Sequence, residues 1–299
     1  VTAQPSSEEV LIATDGNGVY KLNMNTLQLH SFLSTTQESD KMNGDIIKDI
    51  YLDEEGRVWM TVFPFSVTIY SDKYPKYEWL HQTNNDSQSL ANSRVTQVIE
   101  DSDGDIWVTT NNGIGCYHTR TKQWTTLLSS HDQNRQDQNY VYISLCESTP
   151  GTILVGGYMS GMYRINKKDM RPQYFSPQQE GYTDIRPDKY IRSIYRDEQG
   201  TVWAGGYYNF KSMNFATGQI DHYQTEYPIS VITSKSDKEL WVGTVNGIYK
   251  FNKQKKEFEQ EPLLTDMGAV NTIYQADNQL TYIGTHGSGL CVYNNRTGE

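Results

Sequence analysis

The chain has 299 residues, a net charge of −10 at pH 7 and a pI near 5.1. An acidic chain repels phosphates, so its overall field disfavours binding to nucleic acid or to an anionic membrane surface, although local fields can differ. No apolar run approaches the roughly 18 residues of a membrane span, and no secretory leader is recognisable at the start. We therefore expect this fragment to make no membrane contact, with any leader or anchor lying outside it.

The predicted elements are short β-strands bounded by Gly, Asn and Asp turns. Residues 1–9 are a polar lead-in, so the first unit is predicted to have three strands, at residues 10–14, 19–22 and 27–32. The second and third units are predicted to have four strands each, at residues 47–52, 58–62, 67–70 and 77–80, and at 95–100, 106–110, 114–118 and 123–127. The later units span residues 141–175, 191–223 and 229–258, and the seventh, at 270–293, lacks its fourth strand.

One motif recurs along the chain. Asp-x-x-Gly-x-x-Trp begins at Asp53, Asp101 and Asp197, and degenerate copies fill the remaining units at spacings of 38 to 49 residues. Seven repeats of this length, with about four strands each, are typical of propeller blades. The sequence therefore predicts an all-β, seven-bladed β-propeller with four-stranded antiparallel blades, the first and last incomplete in this fragment. We expect residues 1–299 to form a single propeller domain.

The tryptophans and aspartates of the motif have two possible roles each. The tryptophans could stack on sugars, but their equivalent second-strand positions favour a core between blades. The aspartates could bind a cation, but capping of their own turn is the commoner role. The four tryptophans concerned are Trp59, Trp107, Trp203 and Trp241.

Three cysteines, Cys116, Cys146 and Cys291, are predicted to be free thiols, because the number is odd and the positions fall in strands. No Cys-x-x-Cys or His-x-x-x-His spacing occurs, so the sequence predicts no transition-metal site and no cofactor.

Candidate binding residues follow from alternation and loop length. The connections between blades are long and polar at residues 33–45, 81–93, 129–139 and 176–189, and long loops on a rigid scaffold concentrate binding sites. On the same face, the second residue of each inner strand should point into the channel, either to bind ligand or to line water: Lys48, Thr96, Tyr142, Arg192, Ser230 and Asn271. Flat rings and planar donors nearby suit sugars. The predicted ligand-binding residues are Lys48, Tyr142, Tyr158, Tyr182, Arg186, Tyr190, Arg192, Tyr207 and Tyr208.

The segment from Met162 to Arg192 has a net positive charge, with seven basic residues against four acidic ones, whereas the net charge of the whole chain is negative. We therefore expect the mouth between the fourth and fifth blades to be the contact site, for a glycan or for another part of the same protein, and to favour an acidic glycan.

An enzyme remains the alternative. Propeller glycosidases need two carboxyl groups roughly 5 to 10 Å apart. By position the candidates are Asp45, Asp49, Asp184 and Asp188. None belongs to a recognisable catalytic motif, so the prediction is a non-catalytic domain, with a glycoside hydrolase or lyase as one alternative and a purely structural or dimerisation propeller as another.

The inner strand at residues 95–100, the Asp-x-x-Gly-x-x-Trp turn and the Gly-bounded strand at 247–251 together resemble the two-component-regulator propeller repeat. The B–C turns at residues 63–66 and 207–210 depart from that pattern, because glycine is usual there. The resemblance implies a periplasmic sensor region of a hybrid two-component system, with an adjacent propeller, a β-sandwich, a membrane span and a histidine kinase elsewhere in the protein. It also implies an oligosaccharide ligand and possible homodimerisation.

Overall fold

The structure is a computed structural model. It describes residues 2–6, 8–33, 44–64, 66–71, 78–82, 89–131, 139–175, 189–207, 209–259, 265, 268–276 and 279–298. These residues form seven antiparallel sheets, which confirms the predicted all-β, seven-bladed propeller. Among them there is no helix long and apolar enough to cross a membrane.

The backbone divides into two compact units, Val1–Leu145 and Cys146–Glu299. The first unit contains three complete sheets. The first sheet consists of β1 (Thr2–Ser6), β2 (Glu9–Ala13), β3 (Val19–Asn23) and β4 (Leu29–Leu33). The second consists of β5 (Ile46–Leu52), β6 (Val58–Phe63), β7 (Ser66–Tyr70) and β8 (Glu78–Leu80). The third consists of β9 (Val95–Glu100), β10 (Ile106–Thr110), β11 (Gly113–His118) and β12 (Gln123–Leu127).

The boundary between the units falls within β13 (Tyr142–Thr149), which begins the fourth sheet. That sheet continues with β14 (Thr152–Gly157), β15 (Met162–Asn166) and β16 (Arg171–Phe175). The fifth sheet consists of β17 (Ile191–Arg196), β18 (Val202–Gly206), β19 (Phe210–Asn214) and β20 (Gln219–Tyr223). The sixth consists of β21 (Ile229–Ser236), β22 (Glu239–Thr244), β23 (Gly247–Asn252) and β24 (Glu257–Phe258), and the seventh of β25 (Gly268–Gln275), β26 (Leu280–Gly287) and β27 (Leu290–Asn294).

The first sheet corrects the sequence prediction. Its inner strand is present as β1, which pairs with β2 in the register Thr2↔Ile12, Ala3↔Leu11 and Ser6↔Glu9. The segment carries no apolar alternation and contains Pro5, whose nitrogen cannot donate a ladder hydrogen bond, and the register shifts between Ala3 and Ser6. Backbone pairing defines this strand, so the side-chain pattern could not predict it. The three-stranded seventh sheet is as predicted among the described residues.

The motif turns are built alike. In the Asp53 turn, the amide of Gly56 donates to Asp53 O at 3.0 Å, and Gly56 adopts φ +78°, which favours glycine. The carboxylate oxygen Oδ1 of Asp53 accepts from the amides of Glu55 and Arg57 at 3.0 and 2.8 Å. The predicted capping role of the aspartates is confirmed here, and Asp101 and Asp197 repeat it.

The tryptophans are core residues, as predicted. Trp59, Trp107 and Trp241 are each 1% exposed and Trp203 is 4% exposed. Within the first unit, Trp59 of the second sheet packs with Val95 and Val98 of the third. Within the second unit, Trp203 and Trp241 pack against the inner strand of the following sheet in the same way. These four rings are therefore too buried to stack on a sugar.

Candidate functional site

The predicted channel residues occupy a special backbone position. In β5, Ile47 pairs with Val62 and Asp49 with Thr61, so Lys48 is an extra residue in a β-bulge. The same irregularity recurs at the equivalent point of four more inner strands, where the extra residues are Thr96, Arg192, Ser230 and Asn271. Bulges re-aim a side chain and are common beside functional sites. In each of these five inner strands, one residue at an equivalent position therefore lies outside the regular pleat.

Tyr142 was assigned to this set, and the structure places it elsewhere. It is fully buried. Its carbonyl accepts a 2.7 Å hydrogen bond from Thr96 Oγ1, just as the carbonyl of Val270, the residue before the bulge in β25, accepts one from Ser230 Oγ. Tyr142 thus aligns with the buried first residue of each inner strand, and Ile143 takes the second position. The sequence prediction started this strand one residue too early.

Side chains at the third position join neighbouring inner strands. Asp49 Oδ2 accepts from the amide of Val98 at 3.1 Å, and Gln97 Oε1 accepts from the amide of Leu145 at 2.6 Å. In the second unit, Ser193 Oγ accepts from the amide of Ile232 at 3.0 Å. Three different side chains therefore accept the same hydrogen bond from the next inner strand. The sequence does not show this contact, because the residue type at the third position varies.

Asp49 was a candidate catalytic acid. Its Oδ1 accepts from the amide of Ile50 at 3.0 Å and its Oδ2 from that of Val98, so both oxygens serve the scaffold. Burial raises the pKa of Asp49 to about 6, against the opposing effect of these backbone hydrogen bonds. Asp45 supplies its backbone carbonyl to the amides of Gly16 and Gly18. Asp184 and Asp188 lie outside the described residues.

Three of the predicted tyrosines form a cluster in the second unit. The rings of Tyr158 and Tyr190 are edge to face, with centroids 5.2 Å apart, and those of Tyr190 and Tyr207 are edge to face at 5.8 Å. Tyr158 and Tyr207 are 50% and 52% exposed. Each comes from a different connection: Tyr158 follows β14, Tyr190 precedes β17 and Tyr207 follows β18. We call these three residues the tyrosine cluster.

Two backbone contacts hold the tyrosine cluster in place. The amide of Gly161 donates to the carbonyl of Lys189 at 2.9 Å, which ties the turn after Tyr158 to the residue before Tyr190. A Cβ added at Gly206 would lie 1.8 Å from the carbonyl oxygen of Tyr190, so only glycine permits this approach. The end of β18 can therefore approach the backbone of Tyr190 because Gly206 has no side chain.

The remaining predicted site residues are placed as follows. Arg192, the bulge residue of β17, lies two residues after Tyr190 and is half-buried. Lys48 belongs to the first unit, where it pairs with Asp15 at 3.3 Å and lies over the ring of Phe63 at 5.6 Å. Tyr182, Arg186 and Tyr208 lie outside the described residues.

A pocket of about 500 Å³ in the second unit was not predicted. It lies beside the outer strands β20 and β24, and its walls include the rings of Tyr227 and Tyr249, stacked at 6.1 Å and 28°. The buried hydroxyl of Thr225 has no hydrogen-bond partner among the described residues. The sequence signal was weak, because Tyr227 lies in the connection between β20 and β21, Tyr249 lies on β23, and the two share no motif.

The cysteines are free, as predicted, with Cys116 buried and Cys146 and Cys291 half-buried. Burial raises the pKa of Cys146 to about 12, which makes its thiol a poor nucleophile. Among the described residues, Asp105, Cys116 and His118 bring three possible metal-ligand atoms within 4.8 Å of one another.

These features define the class of the chain: a β-propeller built from repeats, with Asp-capped turns and bulged inner strands. Residues 89–112 and 186–208 match the family model described as the two component regulator propeller. Each matched segment contains an inner strand followed by an Asp-x-x-Gly-x-x-Trp turn. The resemblance predicted from the sequence is confirmed by this match. No curated protein resembles the chain closely enough in sequence to count as a match.

Solved structures share the fold. The extracellular domain of a hybrid two-component system from B. thetaiotaomicron has a TM-score of 0.78 and 19% identity, over 98% of this chain and 39% of that one. The extracellular domain of a one-component system from the same organism has a TM-score of 0.56 and 16% identity, over 100% and 47%. PorZ, a surface component of the type-IX secretion system of Porphyromonas gingivalis, has a TM-score of 0.68 and 16% identity, over 97% and 45%. This chain therefore spans less than half the length of each.

Proposed function

We propose that the chain is a non-catalytic sensor propeller of a hybrid two-component signalling protein, that it lies in the periplasm, and that it binds an oligosaccharide at the tyrosine cluster. The observation that carries the proposal is the contact of three partly exposed rings from three separate connections. The two-component-regulator repeat supports the signalling role. The extracellular location of the structurally similar domains supports the compartment.

The geometry of the tyrosine cluster suits a sugar. The rings of Tyr158 and Tyr207 each meet Tyr190 edge to face, at interplanar angles of 81° and 87°. Half of each outer residue remains exposed, which leaves ring surface for the apolar face of a pyranose. The phenolic hydroxyls provide hydrogen bonds at the edge of the same surface. A ring that is already held by its neighbour loses little conformational entropy on binding.

Charge favours an acidic sugar. Lys189 and Arg192 flank Tyr190 in the sequence, whereas Lys167, Lys168 and Arg171 of the same basic segment lie at the other end of the fourth sheet, around the turn between β15 and β16. The support for an acidic sugar therefore rests on Lys189 and Arg192. A guanidinium can donate two parallel hydrogen bonds to a carboxylate or a sulfate. The acidic character of the rest of the chain then limits nonspecific attraction of polyanions elsewhere.

The hydrogen bonds of Asp49 support binding without turnover. Catalytic hydrolysis of a glycoside needs one carboxyl group to donate a proton and another to act as nucleophile or base. Both oxygens of Asp49 accept backbone hydrogen bonds, so this carboxyl group is committed to joining β5 and β9.

The experiment is incubation of the purified chain with matched neutral, uronic-acid-containing and sulfated oligosaccharides, with binding and products measured in the same samples. We expect saturable binding of an acidic oligosaccharide, weaker binding of its neutral counterpart, and intact sugar at the end. Release of shortened or unsaturated products would contradict the non-catalytic proposal and identify the chain as a hydrolase or lyase. Failure of every sugar to bind would favour the structural or dimerisation alternative.

A further inference from the structure

A mixed group of side chains lies at one end of the third sheet, in the first unit. Asp105 immediately precedes β10, and Cys116 and His118 lie on β11. The two strands pair antiparallel with Ile106 opposite Tyr117, which places Asp105 across from His118. Cys116 and His118 are two residues apart on one strand, so their side chains share a face of the sheet.

The distances join these groups through one ring nitrogen. His118 Nδ1 is 2.7 Å from Asp105 Oδ2 and 3.9 Å from Cys116 Sγ. The other nitrogen, Nε2, is 2.9 Å from Thr125 Oγ1 on β12. When Nε2 carries the proton and donates it to Thr125, Nδ1 turns its lone pair towards both the thiol and the carboxylate. A histidine that binds a metal is usually oriented by this kind of outer hydrogen bond.

We propose that Asp105, Cys116 and His118 form a binding site for a thiophilic divalent cation of the Zn²⁺ class. Tetrahedral Zn²⁺ with sulfur, nitrogen and oxygen ligands requires ligand atoms roughly 3.3 to 3.6 Å apart. The separations from His118 Nδ1, 2.7 and 3.9 Å, lie on either side of that range, and all three ligand atoms lie within 4.8 Å of one another. Side-chain rotations are therefore needed to bring the three ligands to tetrahedral spacing. The bound cation replaces the proton between His118 and Asp105 and the proton of the Cys116 thiol.

The surroundings allow entry and fix the ligands. Cys116 is buried, whereas the side chains of His118 and Asp105 are 30% and 17% exposed, so the site reaches solvent through these two side chains. The other oxygen of Asp105 accepts from the amide of Thr119 at 3.0 Å, which orients the carboxylate. Three protein ligands leave a fourth position for water. Because Asp105 precedes β10 and the other two ligands lie on β11, binding stabilises the pairing of these strands in the folded sheet.

Cysteine, histidine and carboxylate together select against Mg²⁺ and Ca²⁺, which prefer oxygen ligands alone. The sequence did not predict the site because Asp105 lies eleven residues before Cys116, outside any known metal spacing. Antiparallel pairing brings them together. Cys291 provides a natural comparison, since it also lies on the third strand of its sheet but is followed two residues later by Tyr293.

The test uses Co²⁺ as a spectroscopic substitute for Zn²⁺, added to the reduced, metal-free chain. We expect a near-ultraviolet band from thiolate-to-cobalt charge transfer, its displacement by Zn²⁺, and a rise in the thermal midpoint with Zn²⁺. Cys116→Ser should abolish the band, and Thr125→Val should weaken Zn²⁺ affinity about 10- to 100-fold by releasing His118. Cys291→Ser and Cys146→Ser should leave both unchanged.

The double variant Cys146→Ser/Cys291→Ser retains only Cys116 and keeps the test decisive if Cys116→Ser does not fold. A charge-transfer band in this variant supports the site. Absence of a band in both this variant and the parent chain overturns the proposal, as does a band that survives in folded Cys116→Ser.

Discussion

Trp107 Nε1 donates a 2.8 Å hydrogen bond to Asp101 Oδ2, six residues earlier in the chain. The same bond joins Trp59 to Asp53 and Trp203 to Asp197, each at 2.9 Å. One carboxylate therefore caps its own turn through Oδ1 and fixes a core ring through Oδ2. This explains why Asp and Trp recur together: the turn and the core between blades are one hydrogen-bonded unit.

Trp241 tests this interpretation. Its ring is as buried as that of Trp107, but Lys235 stands six residues before it, and Trp241 Nε1 has no hydrogen-bond partner among the described residues. We expect Trp107→Phe to lower the free energy of unfolding by about 1–3 kcal/mol more than Trp241→Phe, because only the former leaves a buried acceptor without its donor. Urea denaturation of the two variants measures the difference. Equal losses would show that the indole hydrogen bond contributes nothing beyond ring packing.

Removing the whole ring should cost more. Trp107→Ala is expected to destabilise the chain by about 3–5 kcal/mol, because it combines lost burial with a large cavity. The denaturation midpoint, compared with that of Asp103→Ala at the exposed centre of the same turn, provides the measurement. A midpoint equal to that of the parent would contradict the core assignment.

Asp49 should make stability depend on pH. Its folded pKa of about 6 lies above the ordinary value of 3.8, so between these values the folded state binds more protons than the unfolded state. The free energy of unfolding should therefore fall as pH rises from about 4 to 7, by about 2–3 kcal/mol from this group. Asp49→Asn should remove that loss, as measured by urea unfolding at both pH values.

Asp53 provides a control of opposite sign. Burial opposes its ionisation, but hydrogen bonds from Trp59 and Arg57 outweigh that effect and lower the pKa of Asp53. Its contribution is therefore present above pH 3.8 and is lost as pH falls further. Asp53→Asn should flatten only the acid limb of the stability profile. The raised pKa of Asp49 would be contradicted if the free energies of unfolding of Asp49→Asn and of the parent chain changed in parallel between pH 4 and 7.

The blades could be predicted from the sequence because their signals are local. The Asp-x-x-Gly turn, the alternation of apolar residues and the tryptophan at a fixed offset all lie within about ten residues of one another. Six sheets and the short seventh were predicted in this way. The inner strand β1 was not, because it is defined by backbone pairing with β2 while its own residues are polar.

The site was harder to predict because it depends on register. The tyrosine cluster was predicted as a neighbourhood, since all three residues border two adjacent blades. The prediction placed Tyr142 one residue too far along its inner strand. A shift of one residue changes the second position of the strand for the buried first position. The contacts from Asp49, Gln97 and Ser193 share no residue type, so no pattern in the sequence marks them.

Arg192 should contribute to the recognition of an acidic sugar. A guanidinium–carboxylate contact contributes roughly 1.5 to 3 kcal/mol, so Arg192→Ala should weaken binding about ten-fold or more. Arg192→Lys keeps the positive charge but loses the planar guanidinium, so its affinity should lie between those of the parent chain and Arg192→Ala. Titration of each variant with the acidic oligosaccharide and its neutral counterpart is the measurement. A similar loss for both sugars would mean that Arg192 supports the fold of the site and does not read charge.

The most direct test of ligand binding at the tyrosine cluster is calorimetric titration of the best-binding oligosaccharide into the parent chain, Tyr207→Phe and Tyr207→Ala. Phe keeps the ring of the tyrosine cluster, so its affinity should stay within about three-fold of the parent, whereas loss of the ring should weaken binding about five- to ten-fold. Tyr20→Ala, on β3 of the first unit, should bind like the parent. Unchanged affinity in Tyr207→Ala, with the fold intact, would contradict the placement of the ligand at the tyrosine cluster.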